Sequence, residues 1–312
     1  GASIARHYEE AYGVRVAPAR IVVTAGSSAA FVLAFLALFD TGARVALPEP
    51  GYPCYRHILT ALGCEPLMLE TGPASRWMPT AEQITAQDVP FDGLLLASPA
   101  NPTGTMAEPA RLDAIAAACR ERGTWLISDE IYHGLSYGLP ARTALAASND
   151  AIVINSFSKF FSMTGWRVGW MVVPERLVRT IERLAQNLYI SPCGASQVAA
   201  LGAFESLDEL EVNRQVYAAN RALLLDGFAA IGLGEIAPAD GAFYLYCDVS
   251  RLTGDSLEFT RQMLSETGVA ATPGIDFDAR RGHNFVRFSY AGTTADMTEA
   301  LDRLARWPQL AR

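Results

Sequence analysis

The sequence is organised around short apolar runs that show no alternation and that each end in polar residues. Gly93–Ala97 (GLLLA) runs into Ser98, Ala151–Asn155 (AIVIN) into Ser156, and Trp125-Leu126-Ile127 into Ser128-Asp129. A strand with one face in water alternates apolar and polar side chains, whereas a strand apolar throughout has both faces covered. Runs of this kind predict strands over Arg20–Thr24, Arg44–Leu47, Glu65–Leu69, Gly93–Ala97, Trp125–Ser128, Ile152–Asn155 and Val168–Val172. Helical stretches such as Ser28–Phe39, Pro53–Leu62 and Pro109–Arg122 lie between them. Strand and helix in alternation specify an α/β protein with a mostly parallel central sheet flanked by helices. The pattern changes after Phe204. Ser206–Ile231 reads as one long amphipathic helix, followed by short strands (Phe243–Cys247, Phe285–Tyr290) and helices (Ser256–Thr267, Thr294–Trp307). The expected division is a large domain over 1–205 and a smaller α+β C-terminal domain over 206–312 that includes the long connecting helix.

Composition removes several function classes. Half of the 312 residues are hydrophobic, enough for a large core, and the net charge of −8 disfavours a nucleic-acid partner, whose phosphates call for Lys and Arg. The longest apolar run, Ala29–Phe39, is too short to span a bilayer, so no membrane partner is expected. The first residues, GASIARHYEE, carry no basic segment followed by an apolar one and no initiator Met. Cysteines stand at 54, 64, 119, 193 and 247, an odd number without a CxxC pair. A reduced, cytoplasmic setting is expected. Cys54, His57 and Cys64 lack a fourth ligand at finger-like spacing, so no metal is expected.

Four segments carry candidate chemistry. In Thr24-Ala25-Gly26-Ser27-Ser28 a strand ends, a glycine turns and an apolar helix begins. Free amides and two hydroxyls at a helix N-terminus suit an anion such as phosphate, although an ordinary N-cap has the same residues. The stretch nearly matches the G-x-S-x-G nucleophile elbow, with Ala30 in the last position, but too few residues precede it for that elbow's place deep in a sheet. GxxxxGK[ST] is absent, and Gly232–Ala237 matches G-x-G-x-x-A only to meet Pro238 where a helix should run, which predicts a loop. Ser98-Pro99-Ala100-Asn101-Pro102-Thr103-Gly104 fixes a loop at the carboxyl end of a strand, where open α/β sheets bind ligands. Asp129 and Tyr132 follow another strand, and a carboxylate at that depth needs a structural partner or a cationic one. Ser156-Phe157-Ser158-Lys159 follows a third strand, with Arg167 eight residues beyond the lysine. A covalent amine beside a phosphate-binding arginine is the sharper reading of that pair.

With NPTG, SDE-I-Y, SFSK and Arg167 in this order, each after an apolar strand, the chain resembles the fold-type I, pyridoxal-phosphate-dependent aminotransferases of class I/II, similar to aspartate aminotransferases. The likeness runs from about residue 20 to 290. It implies that the cofactor is pyridoxal 5'-phosphate, held in the large domain, and that Lys159 forms its Schiff base and moves the proton during the reaction. It further implies that Asp129 pairs with the ring nitrogen and that Asn101 and Tyr132 bond the ring 3'-oxygen. Ser27 (mainly through its amide), Ser28, Ser156, Ser158 and Arg167 would hold the phosphate, and Tyr52 would stack on the ring. Arg287, in Phe285–Ser289, matches the family's arginine for the substrate α-carboxylate, with Asn101 beside it, and calls for a planar fork. Gly241–Tyr244 resembles a strand of the family's small domain. The implied reaction is ping-pong transamination between an amino acid and a 2-oxo acid in a homodimer. Family members carry several dozen residues before the stretch matching Ile4–Gly13, which supply a substrate-side glycine, a dimer arm and a tyrosine. A chain without them is expected to fold but to turn over poorly. A C–S lyase or related enzyme on the same fold, and the sensor domain of a transcription regulator, stay open as alternatives.

Overall fold

The computed structural model describes residues 1–310. In the main sheet are β1 (Ile21–Thr24), β2 (Arg44–Glu49), β3 (Glu65–Glu70), β4 (Gly93–Ala97), β5 (Trp125–Asp129), β6 (Ile152–Ser156) and β7 (Gly169–Val172), in the order β1-β7-β6-β5-β4-β2-β3. All pairings from β3 to β6 are parallel, while β7 lies antiparallel between β1 and β6. The sheet is therefore mostly parallel, as the unalternating strands predict. The reversed seventh strand carries no signature in its own residues, since a strand buried on both faces reads alike in either direction.

The helices of this part are α1 (Ala2–Tyr12), α2 (Gly26–Leu38), α3 (Cys54–Ala61), α4 (Ala81–Thr85), α5 (Pro109–Arg122), α6 (Glu175–Leu188) and α7 (Gly194–Glu205). They cover both sheet faces, and successive strand residues feed the two layers in turn. Leu94 and Leu96 of β4 and Val153 of β6 join Tyr8 of α1 and Leu112 and Ile115 of α5. Leu95, Ile152 and Ile154 join Phe31 and Phe35 of α2, Tyr55 and Leu59 of α3 and Ile181 of α6. Each such Leu or Ile contributes about 1.5–3 kcal/mol on full burial, so the central strands are pinned from both sides. Helix α5 begins with Pro109 at its first position and stops at Gly123 in the left-handed region (φ 66°), the start and stop signals that mark its span in the sequence.

The long helix is α8 (Leu207–Ala230), one residue shorter at each end than expected. Beyond it stand β8 (Tyr244–Asp248), α9 (Ser256–Thr267), β9 (Thr272–Pro273), β10 (Phe285–Ser289) and α10 (Thr294–Ala305). A second sheet orders them β8-β10-β9, all antiparallel. It packs on α8 and α10 around Leu224, Phe228, Leu245, Val286, Phe288 and Leu304. The two-residue β9 is too short to be seen in the sequence. Gly232–Ala237 is turn and loop, with one bridge from Ile236 to Cys247. The last two residues of the expected small domain lie outside the described residues. Among the described residues no helix is long and apolar enough to cross a membrane, and no group of three or more His, Cys, Asp or Glu could hold a metal ion.

Candidate active site

The carboxyl ends of β4, β5 and β6 and the junction of β1 with α2 open into one cavity of about 290 Å3. Ser27, Ser28, Tyr52, Asn101, Asp129, Tyr132, Ser158, Lys159 and Arg167 all line it, and the small sheet adds Arg287 and Tyr244. Residues scattered over the chain converge here because parallel strands place all their carboxyl ends on one edge.

At one end of the cavity α2 begins at Gly26, and Ala25 in the cap position offers no side chain to its first amides. Those donors, together with the Ser27, Ser28 and Ser158 hydroxyls, face the guanidinium of Arg167, which itself donates to the Thr164 carbonyl at 3.0 Å. Backbone crowding makes the cradle: Gly26 has φ +81°, and a Cβ there would meet Arg167 Nη2 at 2.5 Å. Gly169 would place a Cβ 3.2 Å from the Ser27 nitrogen. Ser156 is the exception among the expected residues. It is buried and does not line the cavity; its hydroxyl donates to Ser158 Oγ at 2.9 Å. Ser156 is the last residue of β6, and its hydroxyl sits behind Ser158.

On the floor Asp129 is 3% exposed. Its Oδ1 accepts the Ile131 amide at 3.1 Å and its Oδ2 accepts the Tyr55 hydroxyl. Burial pushes its carboxyl up to about 6, against the pull of Tyr55, Ile131 and the Lys159 charge. Lys159 stands across the cavity with Nζ 5.6 Å from the Tyr132 ring centre and 5.8 Å from that of Phe243. Desolvation lowers its pKa, with Arg287 and Arg167 adding to the effect and Asp129 opposing it. A lysine so placed gives up its proton more readily than one in water, which a nucleophilic amine requires. Tyr132 shares a 2.8 Å hydroxyl contact with Tyr244. Tyr52 closes one side, partly exposed, edge-on to Tyr55.

Arg287 lies on β10 between two rings, 4.3 Å from the Tyr244 centroid and 4.8 Å from that of Phe277. Nη1 donates to Asn101 Oδ1 at 2.8 Å and Nη2 to Thr272 Oγ1 at 3.2 Å, while among the described residues the buried Nε has no partner. An unpaired buried donor on a fixed planar fork is a site awaiting an acceptor. Tyr55, Phe31, Tyr244 and Thr272 are site residues that the motifs do not mark. Only Tyr244 carries a signal, its strand. One further signal is plain in the sequence: Lys159 is its only lysine, beside 24 arginines.

Comparison with known proteins sets this geometry in a family. The aminotransferase class I and II family profile matches residues 2–304. A valine–pyruvate aminotransferase of Mycobacterium tuberculosis is 51% identical over 309 residues, covering 98% of this chain and 80% of that protein. An aspartate/prephenate aminotransferase of Thermus thermophilus is 32% identical, covering 97% of this chain and 79% of that protein. Among solved structures, an aminotransferase from M. tuberculosis superposes with a TM-score of 0.97 at 51% identity (98% of this chain, 80% of that one). T. thermophilus aspartate aminotransferase with maleate gives 0.92 at 30% identity (97% and 80%). The chain belongs to the class I and II aminotransferases. It is accordingly an amino-acid transaminase that depends on pyridoxal phosphate.

The residues present fit that cofactor. The uncapped amides of α2, the serine hydroxyls and Arg167 match a phosphate, Asp129 matches a ring cation, and Lys159 matches an aldehyde. Gly26→Ala tests the cradle. The new methyl meets Arg167 on a residue already left-handed, a conformation that costs about 1–2 kcal/mol without glycine. Cofactor affinity, followed by titrating the visible absorbance, should fall at least about tenfold while melting stays cooperative; unchanged affinity would mean the phosphate binds elsewhere.

Proposed function

We propose that this chain transfers the amino group of a branched apolar amino acid, valine in the first instance, to pyruvate, by a ping-pong reaction in which Lys159, Asp129 and Arg287 carry the chemistry. The observation that carries the site assignment is the convergence of the only lysine, a buried carboxylate and a ring-stacked arginine on one cavity. The choice of donor rests on the 51% identical relative named for valine and pyruvate. Aromatic and aliphatic groups in the lining (Phe31, Tyr52, Ile131, Tyr244) accord with an apolar substrate side chain.

When bound, pyridoxal phosphate supplies the aldehyde that captures the donor's amine and a ring that takes up the electron pair left when the Cα proton departs. The chain's own residues do the rest. Arg287 grips the α-carboxylate through its fork, its rotation stopped by the Asn101 and Thr272 contacts. Lys159 Nζ would take the proton from the substrate's Cα and carry it until it is given back. Asp129, as a carboxylate, would pair with the ring nitrogen and favour its protonated form. Tyr132 and Asn101 would hold the ring's oxygen, Tyr52 would cover its face, and Ser27, Ser28, Ser158 and Arg167 would hold the phosphate, with Ser156 behind Ser158. The second half-reaction runs the same steps backwards on pyruvate.

The wider assignments belong to the same reading. A boundary near residue 205 is supported by the separate core beneath the second sheet. A homodimer is supported by the exposed Leu188, Ile190, Val198 and Leu201 around α6 and α7. The five unpaired thiols accord with a reducing cytoplasm. A donor screen with pyruvate and 2-oxoglutarate as acceptors decides the substrates. Valine with pyruvate should give alanine and a branched 2-oxo acid fastest; pyruvate and ammonia released from cysteine-like substrates would instead establish a lyase. For the carboxylate grip, Arg287→Lys keeps the charge and loses the fork. It should lower kcat/KM for amino acids by about 10²–10³ with the visible spectrum intact; loss of cofactor in step with activity would make Arg287 a structural residue.

A further inference from the structure

Asp129 is placed where its charge is hardest to keep. Desolvation is the largest influence on its carboxyl, and among the described residues two groups donate to it. One is the Ile131 amide, two residues along the chain. The other is the hydroxyl of Tyr55, 74 residues earlier on α3. The Tyr55 ring is 5% exposed and locked edge-on between Phe31 (centroids 5.1 Å, 67°) and Tyr52 (5.6 Å, 84°). It cannot turn away from Oδ2 without opening the core between α2 and α3. Burial also raises the phenol's own pKa well above its usual value, so it stays a donor throughout the working range. Other groups facing Asp129 are the Lys159 ammonium, which favours the carboxylate, and Tyr52, Cys54 and Tyr132, all held protonated by burial. Glu130, next in the chain and pushed up to about 7 by burial, is engaged elsewhere by Ser128, Thr143 and the Ala144 amide.

A donor aimed at a carboxylate stabilises the anion more than the acid and so lowers its affinity for a proton. We infer that Tyr55 is a positioning residue which, through its hydrogen bond to Asp129, keeps the proton between that carboxylate and the cofactor's ring nitrogen on the nitrogen. This rests on the reading of Asp129 as the ring's partner. No bond is made or broken on Tyr55 itself; it orients one oxygen and biases where one proton resides. A ring that keeps its proton withdraws electrons more strongly, so the bias acts on the rate of Cα proton removal and leaves substrate affinity alone.

The test begins on cofactor-free full-length chain labelled with 13C at aspartate carboxyls, the Asp129 signal being identified by its loss in Asp129→Asn. In Tyr55→Phe the Asp129 midpoint should rise by about one to two pH units, the worth of one charge-assisted hydrogen bond. In the loaded enzyme the same variant should lose about tenfold in kcat with KM unchanged. A purely structural role would lower the melting temperature without moving the midpoint, and an unmoved midpoint overturns the inference. Should Tyr55→Phe not fold, the unsubstituted apoprotein decides the matter. Its Tyr55 hydroxyl proton should resonate far downfield and move upfield as Asp129 is protonated; a hydroxyl proton indifferent to that titration also overturns it. Because these readouts need no cofactor, they stand apart from the failure of Asp129's own assignment, which would show as near-normal turnover in Asp129→Asn.

Discussion

Lys159→Ala should leave a folded protein whose transamination rate has fallen by roughly four to six orders of magnitude, as when a covalent catalyst and proton carrier is removed. Two jobs are lost together. On the proposed reading the side chain is both the covalent anchor for the cofactor and the base at the substrate's Cα. The other cations lining the cavity, Arg167 and Arg287, carry guanidinium groups and no primary amine to take over the covalent link. The sequence makes the chemical test unusually clean. With a single lysine in 312 residues, borohydride reduction of the loaded protein should fix one pyridoxyl group per chain, on the peptide containing Lys159. In Lys159→Ala no ε-amine remains, so the cofactor should dialyse away after reduction. A label retained in that variant, or turnover within tenfold of the unsubstituted chain, would remove Lys159 from the reaction.

Asp129→Asn should separate function from stability. Turnover is expected to drop by about 10²–10³, because a neutral amide cannot hold the ring proton and one charged partner in a dry site supplies several kcal/mol to the transition state. The cofactor-free protein should respond in the opposite sense. Asp129's carboxyl is raised to about 6 by burial, above its unfolded value, so between about pH 4 and 6 the folded state binds more protons than the unfolded one. Stability therefore falls as pH rises through that window, and the full cost of the buried charge is present above it. The amide removes that cost while Oδ1 still accepts the Ile131 amide and Nδ2 can donate to the Tyr55 oxygen. Melting at pH 8 should thus favour Asp129→Asn by an amount on the order of 2–3 kcal/mol, and the difference should vanish near pH 4. An apoprotein less stable at pH 8 than the unsubstituted chain would show that the carboxylate braces the fold; near-normal turnover would remove it from catalysis.

Both residues are legible in the sequence because their signals are local. An apolar run that ends in a charged residue states, within ten residues, that a strand is buried and that a polar group waits at its end. Glycine at 26, the prolines around Asn101 and the lysine after Ser158 add turn chemistry and reactive groups to those ends. The strand and helix spans expected above match the structure to within a residue or two, since periodicity and caps are written into consecutive residues, while α1, α4, α6, α7 and β9 carry no such expectation.

What only the tertiary structure decided concerns groups that meet across long stretches of chain. Tyr55 reaches Asp129 from 74 residues away, and Asn101 holds Arg287 across 186. β7 enters the sheet reversed between β1 and β6, and Ser156 is set behind Ser158 rather than in the cavity. No periodicity encodes such facts. The sequence by itself determined which residues carry charge, where the chain turns and which runs must be buried on both faces. Which donor meets a buried carboxylate, and which side of a strand faces the cavity, were settled by close packing of the two helical layers, where side chains distant in the chain must fill the same space together.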